Sequence, residues 1–536
     1  MTPPGLPKWA RPAFVGALAL LVYLPSLWNT FALDDVSAVA QDERIRDLGN
    51  VPELLLAPYL TYMPRERSPY RPVTTVSYAV SWAMGGGHPA AFHVVNVTLH
   101  AGATLLFLSL LTALGASAVP ATWAAALFAI HPVHVEAVAG VVGRADVLST
   151  LFVLLALRLH LSSTLRPGLR IALVAYCYLL ALGSKESAVV LPVLLVVVEA
   201  IRRSGVHPKA LIATWPTLAA LSAALAIFLV ARTSVLGSLL HLDVAAYIAV
   251  LPTGVRVTTA IANFSEVARL LVVPWDLSPE YGPGTIVPVH VGQGRFWVGF
   301  GVLAGSVTLV GVGLRDWSAA GSRWLVGGVL WVATSFALLS NLLVPMPMWL
   351  AERTLYLASA GIALMVVAGL EHSAKRLSPP RLTSVLLAVV VTVGGLHTAQ
   401  RSRVWHSDDT LFADLVERHP ESFRAQSWIG SRLVDAGQVE RGLVWLGQAV
   451  SQNPNSALLT LDYVRALLLA GRSVEAEELV RPVPPHLHPS SSVFLAQSLI
   501  FQGRQVEAAD VVRRGLEYFP SETRLLDQAR QLGIGG

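Results

Sequence analysis

The sequence predicts an all-α protein in two parts, a multi-span membrane part over 1–399 and a helical repeat part over 400–536. Three observations carry this. Hydrophobic residues make up 54% of the 536 and charged ones only 14%, with a mean hydropathy of +0.58, where a soluble globular chain carries about 25% charge. Apolar runs recur from residue 13 to residue 396 at lengths suited to crossing a bilayer, which takes about 20 residues with allowance for tilt and burial. Beyond about Gln400 those runs stop, 14 arginines stand against 16 acids, and a period near 34 residues appears.

The elements follow in order. Lys8 and Arg11 precede an apolar run over 13–31. It is long for a signal-peptide core, and no small-x-small cleavage site precedes Asp34, so a first span starting in the cytoplasm is expected. A polar outer loop over 32–72 comes next, rich in Asp, Glu and Arg and closed by Tyr70-Arg71-Pro72. Residues 73–84 read as an interfacial stretch. Further apolar runs lie at 92–113, 121–130, 147–161, 171–182, 188–201, 211–230, 296–314, 324–343, 355–370 and 383–396. Residues 244–273 are ambiguous, holding Arg256, Asn263, Glu266 and Arg269. The expected count is eleven spans, or thirteen if that region makes two.

Basic residues favour the cytoplasmic side of short loops. With the N-terminus inside, the loops carrying Arg166 and Arg170, Arg202, Arg203 and Lys209, Arg315 and Arg323, and Lys375, Arg376 and Arg381 all fall inside. The 32–72 loop, the His131–Asp146 block, Lys185-Glu186 and Glu352-Arg353 fall outside. Of the four lysines only Lys185 lands outside, which points to a task for it. Cys177 is the only cysteine, excluding intramolecular disulfides and thiolate metal clusters. The formal charge of +5 is spread over short loops without a dense basic run, so no nucleic-acid partner is expected.

The outer face collects the chemistry. Within sixteen positions His131, His134, Glu136, Arg144 and Asp146 stand between two apolar runs. Ionisable groups near bilayer depth are costly and usually face a protein interior or a water-filled cavity. Asp34 and Asp35 follow the first span, and cations come from four separate loops. That set suits group transfer from a lipid-linked phosphate donor. A carboxylate takes the proton of an attacking hydroxyl, and Arg, Lys or a metal stabilises the departing phosphate. No His-Glu-x-x-His, Walker loop or Gly-x-Ser-x-Gly elbow is present.

In the repeat part, Pro420 and Pro454 are 34 apart, and Gly437, Gly471 and Gly503 are 34 and 32 apart, each followed five positions later by Gly442, Ala476 or Ala508. This resembles the tetratricopeptide repeat, a helix–turn–helix unit of about 34 residues whose small positions let two helices pack closely. Trp428, Gly430, Leu433, Gly442, Ala449 and Pro454 fit the first repeat. The second departs at Val464 and at Pro482, Pro484 and Pro485. Such stacks usually bind extended peptide.

Asp34-Asp35, Tyr70-Arg71-Pro72, Asn96-x3-His100, the His131–Asp146 block, Ser184-Lys185-Glu186, Ala351-Glu352-Arg353-x-Leu-Tyr-Leu and Arg403-Val-Trp405 together resemble the transmembrane and tetratricopeptide-repeat-containing protein O-mannosyltransferases. The resemblance runs along nearly the whole chain, with a repeat region shorter than in the animal enzymes. It implies the GT-C glycosyltransferase fold and a polyprenyl-phosphate-sugar donor. It also implies an inverting transfer of mannose or a similar sugar to Ser or Thr hydroxyls of exported polypeptides, held by the repeats. On this resemblance Asp34 or Asp35 is the base, the other contacting sugar or a divalent metal. Arg144, Lys185, Arg353, Arg71, His131 and His134 are expected at the donor phosphate, and Glu136, Asp146, Glu186 and Glu352 in support. His93, Asn96 and His100 are expected to tie helices together. The compact form suits a bacterial inner membrane, with site and repeats periplasmic. Two rivals keep part of the pattern: a transferase acting on a glycolipid such as lipid A, and a non-catalytic scaffold for polysaccharide or protein export.

Overall fold

The computed structural model describes residues 7, 9–61, 65, 67–203, 208–239, 246–317, 319–346, 348–376 and 380–534. Lys8 and Glu66 lie outside the described residues, as do the side chains of Lys209, Lys375, Arg376 and Arg381. Among the described residues the regular structure is entirely helical. The chain forms two compact units: Met1–Asp243, Thr253–Pro279 and Pro288–Leu411 in the first, and Val244–Pro252, Glu280–Val287 and Phe412–Gly536 in the second. The repeat unit thus begins at Phe412, a little past the composition change near 400, and includes two short segments from further back.

Among the described residues seven helices are long and apolar enough to cross a membrane: Ala10–Trp28, Pro89–Ala113, Pro167–Ser184, Thr214–Leu236, Gly294–Arg315, Glu352–His372 and Leu382–Val404. Ala118–Ala129 and Pro132–Ala139 make an eighth if taken as one span bent by 46°. This is a multi-pass membrane protein. The count falls below the eleven or thirteen expected for a physical reason. Arg144–His160 has 17 residues and Leu191–Arg203 has 13, lengths tolerable where neighbouring helices, not lipid, cover them. Both bury most of their apolar positions. Thr253–Val272 has 20 residues but carries Arg256, Glu266 and Arg269.

We label the helices that position the site. Helix α1 is Ala10–Leu21, α2 is Pro72–Gly85 and α3 is Pro89–Ala113. Helix α4 is Ala118–Ala129, α5 the short Val135–Ala139, α6 Arg144–His160, α7 Pro167–Ser184, α8 Pro208–Leu236 and α9 Tyr356–Arg376. Local chemistry sets their ends. Pro72 and Pro89 open α2 and α3, where a missing N–H costs nothing. The His88 ring accepts from the Ala90 amide at 3.2 Å, capping α3. Gly86, with φ +57°, stops α2 in a left-handed conformation that favours glycine.

Helix α3 is the post around which the first unit packs. Phe92, His93, Asn96, His100, Ala103 and Phe107 are fully buried along one face, spaced by three or four as a helix stripe requires. Asn96 and His100 do the tying expected of them, whereas neither ring nitrogen of His93 makes a hydrogen bond among the described residues. His100 bonds the Tyr356 hydroxyl at 2.7 Å and the Ala129 carbonyl at 2.9 Å, joining α3 to α9 and α4. The Asn96 amide donates to the Gly140 carbonyl at 3.0 Å. Elsewhere two helices cross at glycine. A Cβ on Gly328 would lie 2.5 Å from the Gly361 carbonyl oxygen, and one on Gly361 2.6 Å from that of Gly328.

In the second unit helices pair as antiparallel hairpins: Phe423–Asp435 with Val439–Gln452, Ala457–Leu469 with Ser473–Val480, and Pro489–Phe501 with Gln505–Tyr518. The turn of each hairpin is the glycine of the 34-residue period. Gly437, Gly471 and Gly503 hold φ +77°, +76° and +77°. The small residue five positions on sits at the helix contact. Ala476 and Ala508 are fully buried, and a Cβ on Gly442 would lie 2.5 Å from Val434 and 2.8 Å from the Gly430 carbonyl. The second hairpin keeps a buried Val464, and its second helix ends after eight residues at Val480, just ahead of prolines that cannot continue it.

Candidate active site

The site lies where the ends of several helices of the first unit meet. Five residues past the first span, Leu33 takes φ +51°, a conformation L-residues rarely adopt. Its amide donates to Asp408 Oδ1 at 2.7 Å. This turn sends Asp34 and Asp35 into different surroundings. The Asp34 side chain is 48% exposed, with Arg353 Nη2 3.7 Å from its Oδ2. Asp35 is 2% exposed. Its Oδ1 accepts from the Val142 amide at 2.8 Å, and its Oδ2 from Val141 at 3.0 Å and Ala32 at 3.4 Å. Burial pushes the Asp35 carboxyl up to about 7, and the three amides pull against it. Asp35 therefore shapes the 141–142 loop, and Asp34 is the acid a substrate can reach.

Cations gather around Asp34 from distant parts of the chain. Arg353 donates from Nη1 to Glu136 Oε1 at 2.7 Å and from its backbone amide to Glu136 Oε2 at 2.8 Å. Glu136 sits on α5, brought there by the bend after Ile130. Lys185, just past α7, donates to both oxygens of Asp146 at 2.7 and 2.6 Å. Arg71 donates from Nε to Glu186 Oε2 at 3.1 Å and lies over the Tyr59 ring at 5.2 Å. Burial lowers the Lys185 ammonium, Asp146 opposes this, and Arg71 and Arg353 both add to it. Arg71 and Arg353 thus both act on Lys185 within one cluster.

Other expected members lie elsewhere in the packing. Arg144 is 0% exposed. Its Nε donates to Asn96 Oδ1 at 2.6 Å, Nη1 to the Ser77 carbonyl and Ser81 hydroxyl at 2.8 Å, and Nη2 to the Phe92 carbonyl at 2.9 Å. The Tyr78 and Phe92 rings flank it at 4.9 and 5.6 Å. The expectation that Arg144 holds a donor phosphate does not fit this geometry, since helix packing uses all three nitrogens. His131 likewise has both ring nitrogens on backbone, Nδ1 accepting from Val133 at 3.3 Å and Nε2 at 3.1 Å from the Leu271 carbonyl. His134 is buried, 2.7 Å from the Ser359 hydroxyl and packed on the Tyr356 and Phe128 rings at 4.3 and 4.7 Å. Neither histidine is placed to orient a phosphate. Glu352 is buried and accepts from the Ser278 amide at 2.6 Å. The two glycines of the block permit close approach: a Cβ on Gly143 would lie 2.5 Å from the Ala137 Cα.

Sequence reasoning missed Arg232, 3.8 Å from Glu186 Oε1. Its signal was present: an arginine directly after the apolar run 211–230, on the side that positive charge normally avoids. Tyr59, bonded to the Tyr78 hydroxyl at 3.1 Å, carried no signal at all. Among the described residues no three His, Cys, Asp or Glu side chains converge as metal ligands, and Asp35's oxygens are turned to amides. The acid pair does not fit a divalent metal. An apolar cavity of about 590 Å³ opens beside the bend, lined among others by Phe128, His131, Pro132, Trp275, Ile362 and His397.

Fold and site define a class: a multi-pass, all-α membrane protein with a cluster of paired acids and cations at its helix ends and a tetratricopeptide-type helical arm. A tetratricopeptide-repeat family profile matches residues 433–493. The chain resembles the protein O-mannosyl-transferases along most of its length. It is 27% identical over 509 residues to protein O-mannosyl-transferase TMTC3 of Homo sapiens, covering 87% of this chain and 54% of that protein. It is 24% identical over 485 residues to TMTC4 of Mus musculus, covering 80% and 65%. A stretch of 171 residues is 37% identical to tmtc2 of Xenopus laevis, 31% of this chain and 20% of that one. The chain spans about half the length of the first curated relatives it matches.

Proposed function

We propose that this protein is a membrane glycosyltransferase of GT-C type that moves a sugar, mannose by analogy with its relatives' names, from a polyprenyl-phosphate carrier to a Ser or Thr hydroxyl of an exported polypeptide. One observation carries the reading: a solvent-reachable carboxylate, Asp34, stands 3.7 Å from Arg353 in a cluster that also holds Lys185 and Arg71. The exposed acid and the partly buried cations supply the two roles the reaction needs. Asp34 takes the proton as the acceptor oxygen bonds the anomeric carbon. The bond from that carbon to the phosphate oxygen breaks with inversion, and its electron pair stays on the carrier phosphate. Positive groups lower the energy of that departing dianion.

Arg353 has a second task. Its clasp on Glu136 and its nearness to Asp34 turn the Asp34 carboxylate toward the cluster. The apolar cavity beside the bend suits part of a polyprenyl chain. The repeat arm favours a polypeptide acceptor over a glycolipid, since tetratricopeptide stacks bind extended peptide, and it fits the site and arm both being extracytoplasmic. The test is transfer itself. Membranes containing the chain, given polyprenyl-phosphate mannose and a Ser/Thr-rich peptide, are expected to yield O-linked sugar on the peptide. Intact-mass analysis of exported proteins with and without the gene reads the natural sugar and acceptor. No chain-dependent glycan on any exported protein overturns the reading.

A further inference from the structure

We propose that Arg71 and Arg232, with Glu186 between them, form the seat for a phosphate ester carried on a polyprenyl chain, and that Arg232 is its principal donor. This rests on the transferase reading for its ligand class, but on its own geometry for its place. Arg232 and Phe228 lie four apart on α8 and so share a face. Phe228 packs against the Tyr70 ring at 5.8 Å between centroids, and Tyr70 precedes Arg71. That contact sets the end of α8 against the start of α2 and brings the two guanidinia to one carboxylate. Glu186 gives Oε2 to Arg71 at 3.1 Å, and Oε1 both to the Tyr70 amide at 3.3 Å and to the more distant Arg232 at 3.8 Å.

Charge distinguishes this corner from the rest of the cluster. Lys185 has Asp146. Arg353 has Glu136 and, further off, Asp34. Arg71 and Arg232 share one carboxylate, which leaves one positive charge over. Arg232 also has unused bonding capacity: among the described residues its guanidinium makes no hydrogen bond, and its Nε is buried without a partner. A desolvated donor fork lacking an acceptor is costly unless a ligand supplies one. Phosphate oxygens match such a fork in two parallel bonds. One surplus positive charge meets the single negative charge of a sugar–phosphate–lipid diester. When the sugar–oxygen bond breaks and the electron pair stays on phosphate, the negative charge doubles and the attraction grows. Stabilisation is thus greatest where catalysis can use it.

Binding tests this without requiring turnover. The purified full chain in detergent is offered a sugar-free polyprenyl monophosphate, the matching polyprenol and inorganic phosphate, with binding read by native mass spectrometry. The wild type is expected to prefer the phosphate to the alcohol. Arg232→Gln is expected to lose about tenfold or more in affinity for the polyprenyl phosphate with polyprenol binding unchanged. Arg232→Lys is expected to recover part of it, and Glu186→Gln to bind the phosphate more tightly than wild type. Wild-type phosphate affinity in Arg232→Gln overturns the seat, and so does an equal loss of phosphate and alcohol binding. Inorganic phosphate bound as tightly as the lipid ester overturns the lipid-borne source. If the Arg232 effect holds while no sugar is transferred from any donor, the seat stands and the transferase reading falls.

Discussion

Asp35→Asn separates the two acids by their response to pH. In the wild type Asp35 accepts from three amides, the shortest from Val142 at 2.8 Å and Val141 at 3.0 Å. An asparagine has one acceptor oxygen, so either orientation leaves one of these amides facing an NH₂ group, at a pH-independent cost of about 1–3 kcal/mol. A second effect titrates. The carboxyl is raised from 3.8 to about 7 by burial, a change equivalent to about 4 kcal/mol. Because the folded value lies above the unfolded one, the folded state binds the extra proton. The stabilisation is fully present below about pH 4 and is lost as pH rises through about 7. Asparagine does not titrate. The stability advantage of wild type over Asp35→Asn should therefore shrink by about 4 kcal/mol between pH 4 and pH 8. Denaturant unfolding of both purified proteins at a series of pH values measures this. An advantage that stays constant with pH would mean an exposed, ordinarily acidic Asp35. The assignment of Asp35 to structure and Asp34 to chemistry would then fail.

Three further outcomes follow from the packing. Arg144→Gln strips a donor from Asn96, Phe92 and Ser77 and should lower stability by about 2–4 kcal/mol. Michaelis constants for the donor should stay near wild type at a temperature where the variant is folded; a raised donor KM in a stable variant would return Arg144 to the site. Lys185→Met leaves the buried Asp146 carboxylate unpaired, costing about 3–5 kcal/mol. Lys185→Met with Asp146→Asn should regain most of that in thermal unfolding, and a double variant no better than the single one would refute the pairing. Gly442→Val puts a Cβ 2.5 Å from Val434 and should loosen the first hairpin by about 1–3 kcal/mol. Limited proteolysis of the full chain between Gly430 and Gly442 reads this, and unchanged resistance would count against the close helix crossing.

Much of this was legible in the sequence because its signals are local. Apolar runs of span length, glycines at a 34-residue period and small residues five places on each report a single element, and the helices and turns carry them. Helix crossings at Gly430 and Gly442 follow from the same rule. The cluster was half legible. Topology alone brought Asp34, Lys185, Glu186 and Arg353 to one face, since residues at like ends of spans must meet somewhere. It could not apportion roles within that face. Arg144 and Lys185 look alike as cations beside a span, yet one satisfies carbonyls and rings in the interior while the other is clasped by a carboxylate. Asp34 and Asp35 differ by one position, and only the turn at Leu33 decides which of them faces amides. Density of titratable residues misled in the His131–Asp146 block for the same reason: imidazoles there serve as polar bolts for backbone at the bend. Arg232 was passed over because it trails an apolar run, where a single charge reads as an ending.

Asp34 carries the proposed chemistry most directly. Sugar transfer from polyprenyl-phosphate mannose to a Ser/Thr peptide should be measured for wild type and Asp34→Asn, with unfolding followed on the same preparations. A general base contributes about 10²–10⁴-fold. Asp34→Asn is expected to lose that much with stability unchanged, because the side chain is half-exposed and, among the described residues, its one ion-pair contact is Arg353 at 3.7 Å. Transfer within a few-fold of wild type in a folded Asp34→Asn protein would contradict it.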